Sequence, residues 1–313
     1  TTGMSKEVSG TYEVVVIGGG FTGLNAARRL AKRGAKVALL EARHVGWGAS
    51  GRNGGHMNSG LSGSFGNAVR LFGEDKARRM WQAYDRSVDL VEAIVTEEGI
   101  DCSFRRGGKI KLASKPSHAA RIRAMGDEIR AAVDPSVLWL DRDALKDEVR
   151  SDVYHGGLLY PKSGMAHMGR YAIGLASAAV RHGADIWENA EVTGRREIRG
   201  GWELATTKGS LTAGKVILAT DAYTPAMFRH FRRRIVPVGS FIIVTRPLDQ
   251  AEAEGVLPGN RNFTNSLNIA NYFRLTPDNR LLFGGRARFS AASNQRTDTS
   301  SAQLLRHQML AAL

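Results

Sequence analysis

The sequence predicts an α/β fold with α+β character in a second domain, and three observations carry that prediction. A continuous β-branched run at 14–17 is followed by glycines, a helix-periodic stretch and a second apolar run at 36–40. Continuous apolar runs mark parallel strands buried on both faces, and parallel neighbours need a crossover helix between them. Many short alternating runs, most of them after residue 185, read instead as strands joined by tight turns. No Pro/Ser-rich linker separates the two patterns, so the domains are expected to interleave, 8–85 with 152–232 in one and 86–151 with 233–313 in the other.

The first unit is the clearest. Residues 14–17 form a buried strand, and Leu24, Ala27, Leu30 and Ala31 then recur at helical spacing with Arg28, Arg29, Lys32 and Arg33 opposite. Gly34 is a natural helix stop, and 36–40 is a second strand ending at Glu41. The stretch 46–66 is glycine-rich without periodicity and reads as loop. A long helix is expected over 75–98, with Trp81, Tyr84, Val88, Val91 and Val95 on its apolar face as core residues. Residues 109–113 alternate as a strand, 116–133 is a polar surface helix, and 141–149 is a short helix capped by Asp141. An apolar helix follows over 168–182, ended by Gly183. Strands are expected at 185–188, 191–198, 202–207, 235–245, 272–275 and 281–284, and 215–220 reads as a further buried strand. A helix begins at Ser300.

Composition excludes several classes. With 42% apolar residues the chain can bury a large core, so it is not disordered. The single cysteine, Cys102, forbids an internal disulfide framework and most cysteine-based metal sites, and no metal is expected. No run approaches the ~18 apolar residues of a membrane span, so a cytoplasmic location without a membrane span is expected. Two oddities remain: 36 glycines in 313 residues and a net charge of +14.

Gly18-x-Gly20-x-x-Gly23 falls between a strand and a helix, with a second strand beyond it and Glu41 at that strand's end. Gly18 makes the tight turn, Gly20 lets a pyrophosphate approach the backbone, and Gly23 lets helix and strand pack closely. The helix N-terminus supplies free N–H groups and the positive end of its dipole. Glu41 can accept from a ribose diol, and its charge repels a 2′-phosphate, so NADP is disfavoured. This motif leaves FAD and NAD both open.

The run Gly46-Trp47-Gly48-Ala49-Ser50-Gly51-Arg52-Asn53-Gly54-Gly55-His56 resembles the amine- and D-amino-acid-oxidase superfamily of FAD enzymes, most closely its γ-glutamylputrescine oxidase-type branch. Residues 216–224, the Glu191-Val192 pair, and Tyr272-Phe273-Arg274 through Arg286 are similar to further strands of that family. The resemblance implies a Rossmann-like FAD-binding domain (8–85 and 152–232) interleaved with an antiparallel-sheet substrate domain (86–151 and 233–313). It implies FAD as cofactor, without a covalent bond, contacted by Gly18, Gly20, Phe21, Thr22, Gly23, Glu41, Ala42, Arg43, Ala49, Ser50, Arg52, Asn53, Gly54, Gly55, His56, Val192, Ala219 and Thr220. Relatives continue beyond the point matching Leu313, so this chain is expected to lack a C-terminal segment that caps the flavin.

The same resemblance implies oxidation of a C–N bond in a small-molecule amine or amino acid, with oxygen or another electron acceptor completing the cycle. Arg52, Tyr272 and Arg274 are the candidate catalytic residues. Where some relatives carry a lysine that assists oxygen, this chain has Leu282. The cofactor performs the chemistry, which agrees with the lack of G-x-S-x-G, H-E-x-x-H and Cys/His pairing. Two other readings are a non-catalytic flavin-binding fragment and, from the +14 charge, the FAD domain of an RNA-modifying enzyme. The run Arg229-His230-Phe231-Arg232-Arg233-Arg234 is read as a solvated helix end rather than a nucleic-acid site.

Overall fold

The computed structural model describes residues 7–288 and 299–313, excepting the side chains at 286–288, so that of Arg286 lies outside the described residues. Its strands are β1 (Thr11–Ile17), β2 (Val37–Leu40), β3 (His56–Met57), β4 (Lys109–Leu112), β5 (Leu138–Leu140), β6 (Gly157–Tyr160), β7 (Gly164–Met165), β8 (Asp185–Trp187), β9 (Val192–Ile198), β10 (Gly201–Thr206), β11 (Gly209–Leu218), β12 (Gly239–Pro247), β13 (Asn262–Asn265), β14 (Tyr272–Leu275) and β15 (Arg280–Arg288). Its helices are α1 (Phe21–Ala31), α2 (Phe65–Phe72), α3 (Glu74–Glu97), α4 (Pro116–Ala132), α5 (Arg142–Leu145), α6 (Met168–Arg181), α7 (Arg229–Arg232), α8 (Gln250–Val256) and α9 (Thr299–Ala312). No helix among the described residues is long and apolar enough to cross a membrane.

The chain divides into two compact units, the first built from Thr1–Asn53, Val95–Cys102 and Met168–Pro237. Its six-stranded sheet runs β8-β2-β1-β11-β10-β9, parallel from β8 to β11 and antiparallel beyond. Val15, Ile17, Ala38, Leu40, Leu204 and Leu211 fill one face. Full burial of β2 on both faces explains its unbroken VALL sequence. Buried Glu98 accepts from Arg28 of α1 at 2.7 Å and lies 3.0 Å from Nε2 of His182. That ion-pair cluster is why 95–102 belongs to this unit.

The second unit comprises Gly54–Ile94, Ser103–His167 and Val238–Leu313. Its seven-stranded sheet runs β12-β15-β14-β13-β4-β6-β5, with β13 and β4 its one parallel pair among the described strands. Phe263, Phe273 and Phe283 stack across three strands at 5.3 and 5.7 Å. The other face packs Leu158 and Tyr160 against Phe65, Trp81, Ile122 and Ile129. Residues 54–85 and 152–167 sit here because β3 pairs with β7, Ser59 bonds Ser163, and Trp81 stacks on Tyr160.

The α/β class with interleaved chain segments is the fold observed, and several local expectations need correction. Tyr84 is 41% exposed, whereas Ile94 is buried. The three-or-four spacing left this choice open, and the packing of α3 decided it. The stretch 46–66 is not all loop: it holds a 3₁₀ turn at Ala49–Gly51, strand β3 and the start of α2. Helix α8 went unread although its capping box, Asp249 with Glu252, stands in the sequence. Strands β5 and β7 have three and two residues, too few to show a period, and the four residues of β6 are apolar or glycine throughout apart from Tyr160 and do not alternate. Residues 215–220, read as a buried strand, are the exposed to half-buried end of β11 and the loop after it.

Candidate functional site

In the first unit the glycine motif forms a cradle at the C-terminal end of β1. Gly18 has φ +112°, and a Cβ there would stand 2.5 Å from the Ala219 carbonyl oxygen. On Gly23 a Cβ would lie 1.9 Å from the Gly18 oxygen, so glycine is what lets α1 close on the turn. Gly20 caps α1 without a side chain, and the first turn holds no acid. The Phe21 N–H donates to Ser50 Oγ at 3.0 Å, which ties the loop at 49–51 to the helix start; Thr22 is exposed.

Glu41 folds toward this turn. It accepts from Gly19 N–H at 2.6 Å and Arg43 N–H at 2.8 Å. Burial raises its pKa, against the lowering effect of those two bonds. Ala42 and Arg43 are exposed beside it, and Val192 is buried in the sheet core. Ala219 donates to the Ile17 carbonyl at 2.8 Å, and the hydroxyl of Thr220 lies 2.8 Å from that of Thr224. Arg52 is exposed: its guanidinium stacks 4.8 Å from the Trp47 ring and donates to Tyr223 Oη at 3.0 Å. Asn53 donates to the carbonyls of Ala49 and Ser50, holding the turn closed.

The remaining expected residues lie in the second unit. Gly54 and Gly55 are buried, and a Cβ on Gly55 would meet Ala166 O at 2.3 Å and Arg274 Nη2 at 2.5 Å. Arg274 is 4% exposed and donates to three carbonyls: Gly54 at 2.6 Å, Leu275 at 3.0 Å and Ala166 at 3.0 Å. Burial, helped by Arg105, lowers its pKa to about 10, so it stays charged at neutral pH. Tyr272 is half-buried, edge-on to His56 at 5.6 Å, with its hydroxyl 3.3 Å from Ser240 Oγ. Leu282 is buried beside Arg274 on β15.

His56 is held neutral. Burial first, then Arg274 and Lys109, lower its pKa to about 3, and its buried Nε2 has no hydrogen-bond partner. A base whose folded pKa lies below its unfolded value stabilises the fold fully above the unfolded value of about 6.5 and loses that contribution as pH falls toward 3. Unfolding midpoints of the wild type should therefore drop between pH 6.5 and 4, by up to about 1.4 kcal/mol per pH unit from this group. His56→Gln should show a shallower fall, and equal slopes would disprove the assignment.

Lys109 was not read from the sequence as a site residue. It lies half-buried on the same sheet face as Tyr272 and Arg274, its Nζ 4.3 Å from the Tyr160 ring centre and 3.5 Å from the Ser59 oxygen. Burial and nearby Lys111 lower its pKa to about 8. The signal was present: alternation of Lys109, Ile110, Lys111 and Leu112 puts both lysines on one face.

An uncapped helix start against a glycine turn, with an acid at the end of the neighbouring strand, defines a dinucleotide-binding protein of the β-α-β class. The glycine turn, free of side chains, and the acid-free first turn of α1 suit a pyrophosphate. The chain belongs to the DAO family of FAD dependent oxidoreductases, whose model matches residues 13–313, and its cofactor is FAD. It is 37% identical over 284 residues to a probable oxidoreductase OrdL of Haemophilus influenzae, covering 87% of this chain and 64% of that protein. Gamma-glutamylputrescine oxidoreductase of Escherichia coli is 33% identical, over 88% of this chain and 64% of that protein. The chain thus spans about 64% of the length of these curated relatives. Glycine oxidase from Geobacillus kaustophilus shares the fold at a TM-score of 0.75 and 24% identity, covering 97% of this chain and 78% of that one. L-proline dehydrogenase from P. horikoshii does so at 0.76 and 20%, with coverage of 97% and 78%.

Proposed function

We propose that this chain forms the FAD-binding and much of the substrate-binding part of an enzyme that oxidises the C–N bond of an amine or amino acid. The observation that carries the reading is the glycine cradle at Gly18, Gly20 and Gly23 in a chain whose family is FAD dependent. The similarity to gamma-glutamylputrescine oxidoreductase and to glycine oxidase supports the substrate class.

FAD, held there without a covalent link, would supply a two-electron acceptor: its N5 would take a hydride from the carbon next to nitrogen, water would hydrolyse the resulting imine to a carbonyl compound and an amine or ammonia, and oxygen would take the electrons to give peroxide. The chain binds, orients and excludes water. Gly18, Gly20 and Gly23 admit the pyrophosphate, and Phe21 and Thr22 border it at the start of α1. Glu41 accepts from the ribose, and Ala42, Arg43 and Val192 lie along the adenine. Ala49, Ser50, Asn53, Gly54, Gly55, His56, Ala219 and Thr220 hold the remainder of the cofactor. Tyr272 contacts the substrate. Arg52 sets positive charge near the cofactor, and Arg274 acts as a positioning residue by fixing the Gly54 and Ala166 carbonyls. The first unit is the FAD-binding domain and the second the substrate domain.

The test is spectroscopic. Purified protein, supplemented with FAD, is titrated without oxygen with gamma-glutamylputrescine, glycine and sarcosine while its visible absorbance is followed. Bleaching by at least one amine is expected. A colourless protein that takes up no FAD would overturn the reading of the cradle, and bound FAD that none of them bleaches would overturn the reaction class.

A further inference from the structure

On the face of its large sheet that bears Tyr272 and Arg274, the second unit also holds two lysines, Lys109 and Lys111, that form no ion pair among the described residues. β14 pairs Tyr272 with Thr264 of β13, and Thr264 pairs with Lys111 of β4, so these three side chains stand in one row on one face. Their neighbours in sequence, Phe273, Phe263 and Ile110, point to the other face and fill the apolar core there.

The row is open along its middle and closed at one end. The Tyr272 ring leans away from Lys111: a Cβ on Gly284 of β15 would stand 2.2 Å from it, and its hydroxyl lies 3.3 Å from Ser240 Oγ of β12. Thr264, a small side chain, is half-buried between the two. On its other side Lys111 pairs with Leu158 of β6, which is fully buried under α4, where a Cβ on Gly126 would meet it at 2.5 Å. Lys111 is therefore the last residue of the row before the helix closes it.

Lys111 is half-buried and has no hydrogen bond or ring contact among the described residues. Burial first, then Arg121 of α4, lower its pKa. Lys109 is already engaged, by the Tyr160 ring and the Ser59 carbonyl oxygen. Gathering two ammonium groups and a guanidinium in a partly desolvated place costs free energy unless an anion joins them. Neighbouring strands lie a little under 5 Å apart, so the backbones of Tyr272 and Lys111, with β13 between them, are about 10 Å apart.

We propose that Lys111 is a carboxylate-binding residue of the substrate site, and that the amine oxidised here carries an acid group at the far end of a chain of about 10 Å. Lys111 holds that group at the closed end of the row while the amine end lies at Tyr272. Lys109 and Arg121 add positive potential without touching it. The inference rests on the reading of the protein as an amine- or amino-acid-oxidising flavoenzyme with Tyr272 at the substrate. It selects within that class: in glycine and sarcosine one carbon separates nitrogen from carboxylate, so neither compound can reach both ends of the row.

The test reads binding separately from oxidation. Protein supplemented with FAD is reduced with dithionite without oxygen, and the affinities of omega-aminooctanoate, octylamine and glycine are measured by calorimetry. The first two share an amine and a chain length and differ in the carboxylate. The wild type should bind omega-aminooctanoate about tenfold tighter than either of the others, as one charge-assisted contact predicts. Lys111→Met should lose that preference with its octylamine affinity unchanged, and Lys111→Arg should keep most of it. In the wild type the Lys111 Nζ signal in NMR should move on addition of omega-aminooctanoate and not of octylamine. Equal affinity of the wild type for these two compounds, a preference that survives Lys111→Met, or a Lys111 signal that omega-aminooctanoate leaves unmoved would overturn the proposal. A carboxylate preference in a protein whose oxidised flavin no amine bleaches would uphold the acid-binding role of Lys111 and overturn the reaction class.

Discussion

Gly23→Ala is expected to cost the first unit about 3 kcal/mol and to abolish FAD retention, because the added methyl would stand 1.9 Å from the Gly18 carbonyl oxygen. The obstacle is backbone, which cannot rotate aside, so either α1 moves off β1 or the turn at Gly18 opens. Either movement displaces the amides at the start of α1 from the position that suits a pyrophosphate. The comparison is Gly63→Ala, where nothing lies within 4 Å of the new Cβ and neither stability nor FAD content should change. Thermal melts and the flavin-to-protein absorbance ratio after gel filtration check both variants. Full FAD content in Gly23→Ala would show that the cradle is not the cofactor's seat.

Arg274→Met should destabilise the second unit by about 3 kcal/mol, since it leaves three buried carbonyl acceptors, on Gly54, Ala166 and Leu275, without their charged donor. Arg274→Lys should recover only part of this: an ammonium restores the charge but lacks the planar fork that reaches several carbonyls at once. Two further readouts separate this role from simple packing. Removing the guanidinium removes a nearby positive charge from His56, so the His56 pKa should rise from about 3, detectable by NMR titration. With FAD bound, a positioning role predicts a change in flavin absorbance fine structure in both variants, because Gly54 and Gly55 lose their anchor. An unmoved His56 pKa in Arg274→Met would contradict the electrostatic coupling.

The cofactor half of the candidate site was legible because its chemistry is local. The glycine spacing, the strand before it, the helix after it and Glu41 all lie within thirty-one residues, 11–41, and each is required by the conformation of its own turn. Backbone atoms at Gly18 and Gly23 leave no other residue type room, so the motif can be read in one dimension. The residues brought to the other sheet were less legible. Tyr272 and Arg274 were named, but nothing in β14 alone reveals that Arg274 serves three carbonyls, one of them 220 positions away in sequence. Lys109 escaped notice because a lysine in an alternating strand reads as a solvated face unless the elements covering that face are known.

The sequence by itself determined the fold class and the β-α-β unit with its glycine turn, because continuous apolar runs and glycine-only turns are imposed by short-range sterics and by burial on both faces of a strand; FAD and the family came from the resemblance carried by residues 46–56. Only the tertiary structure decided which groups change their chemistry. His56 is neutral, Lys109 is easily deprotonated and Tyr84 is exposed because of what other segments place against them. It also decided that Val216–Leu218, a buried strand by composition, is only half-buried: hydrogen-bond partners and desolvation are properties of neighbours, and neighbours come from the fold.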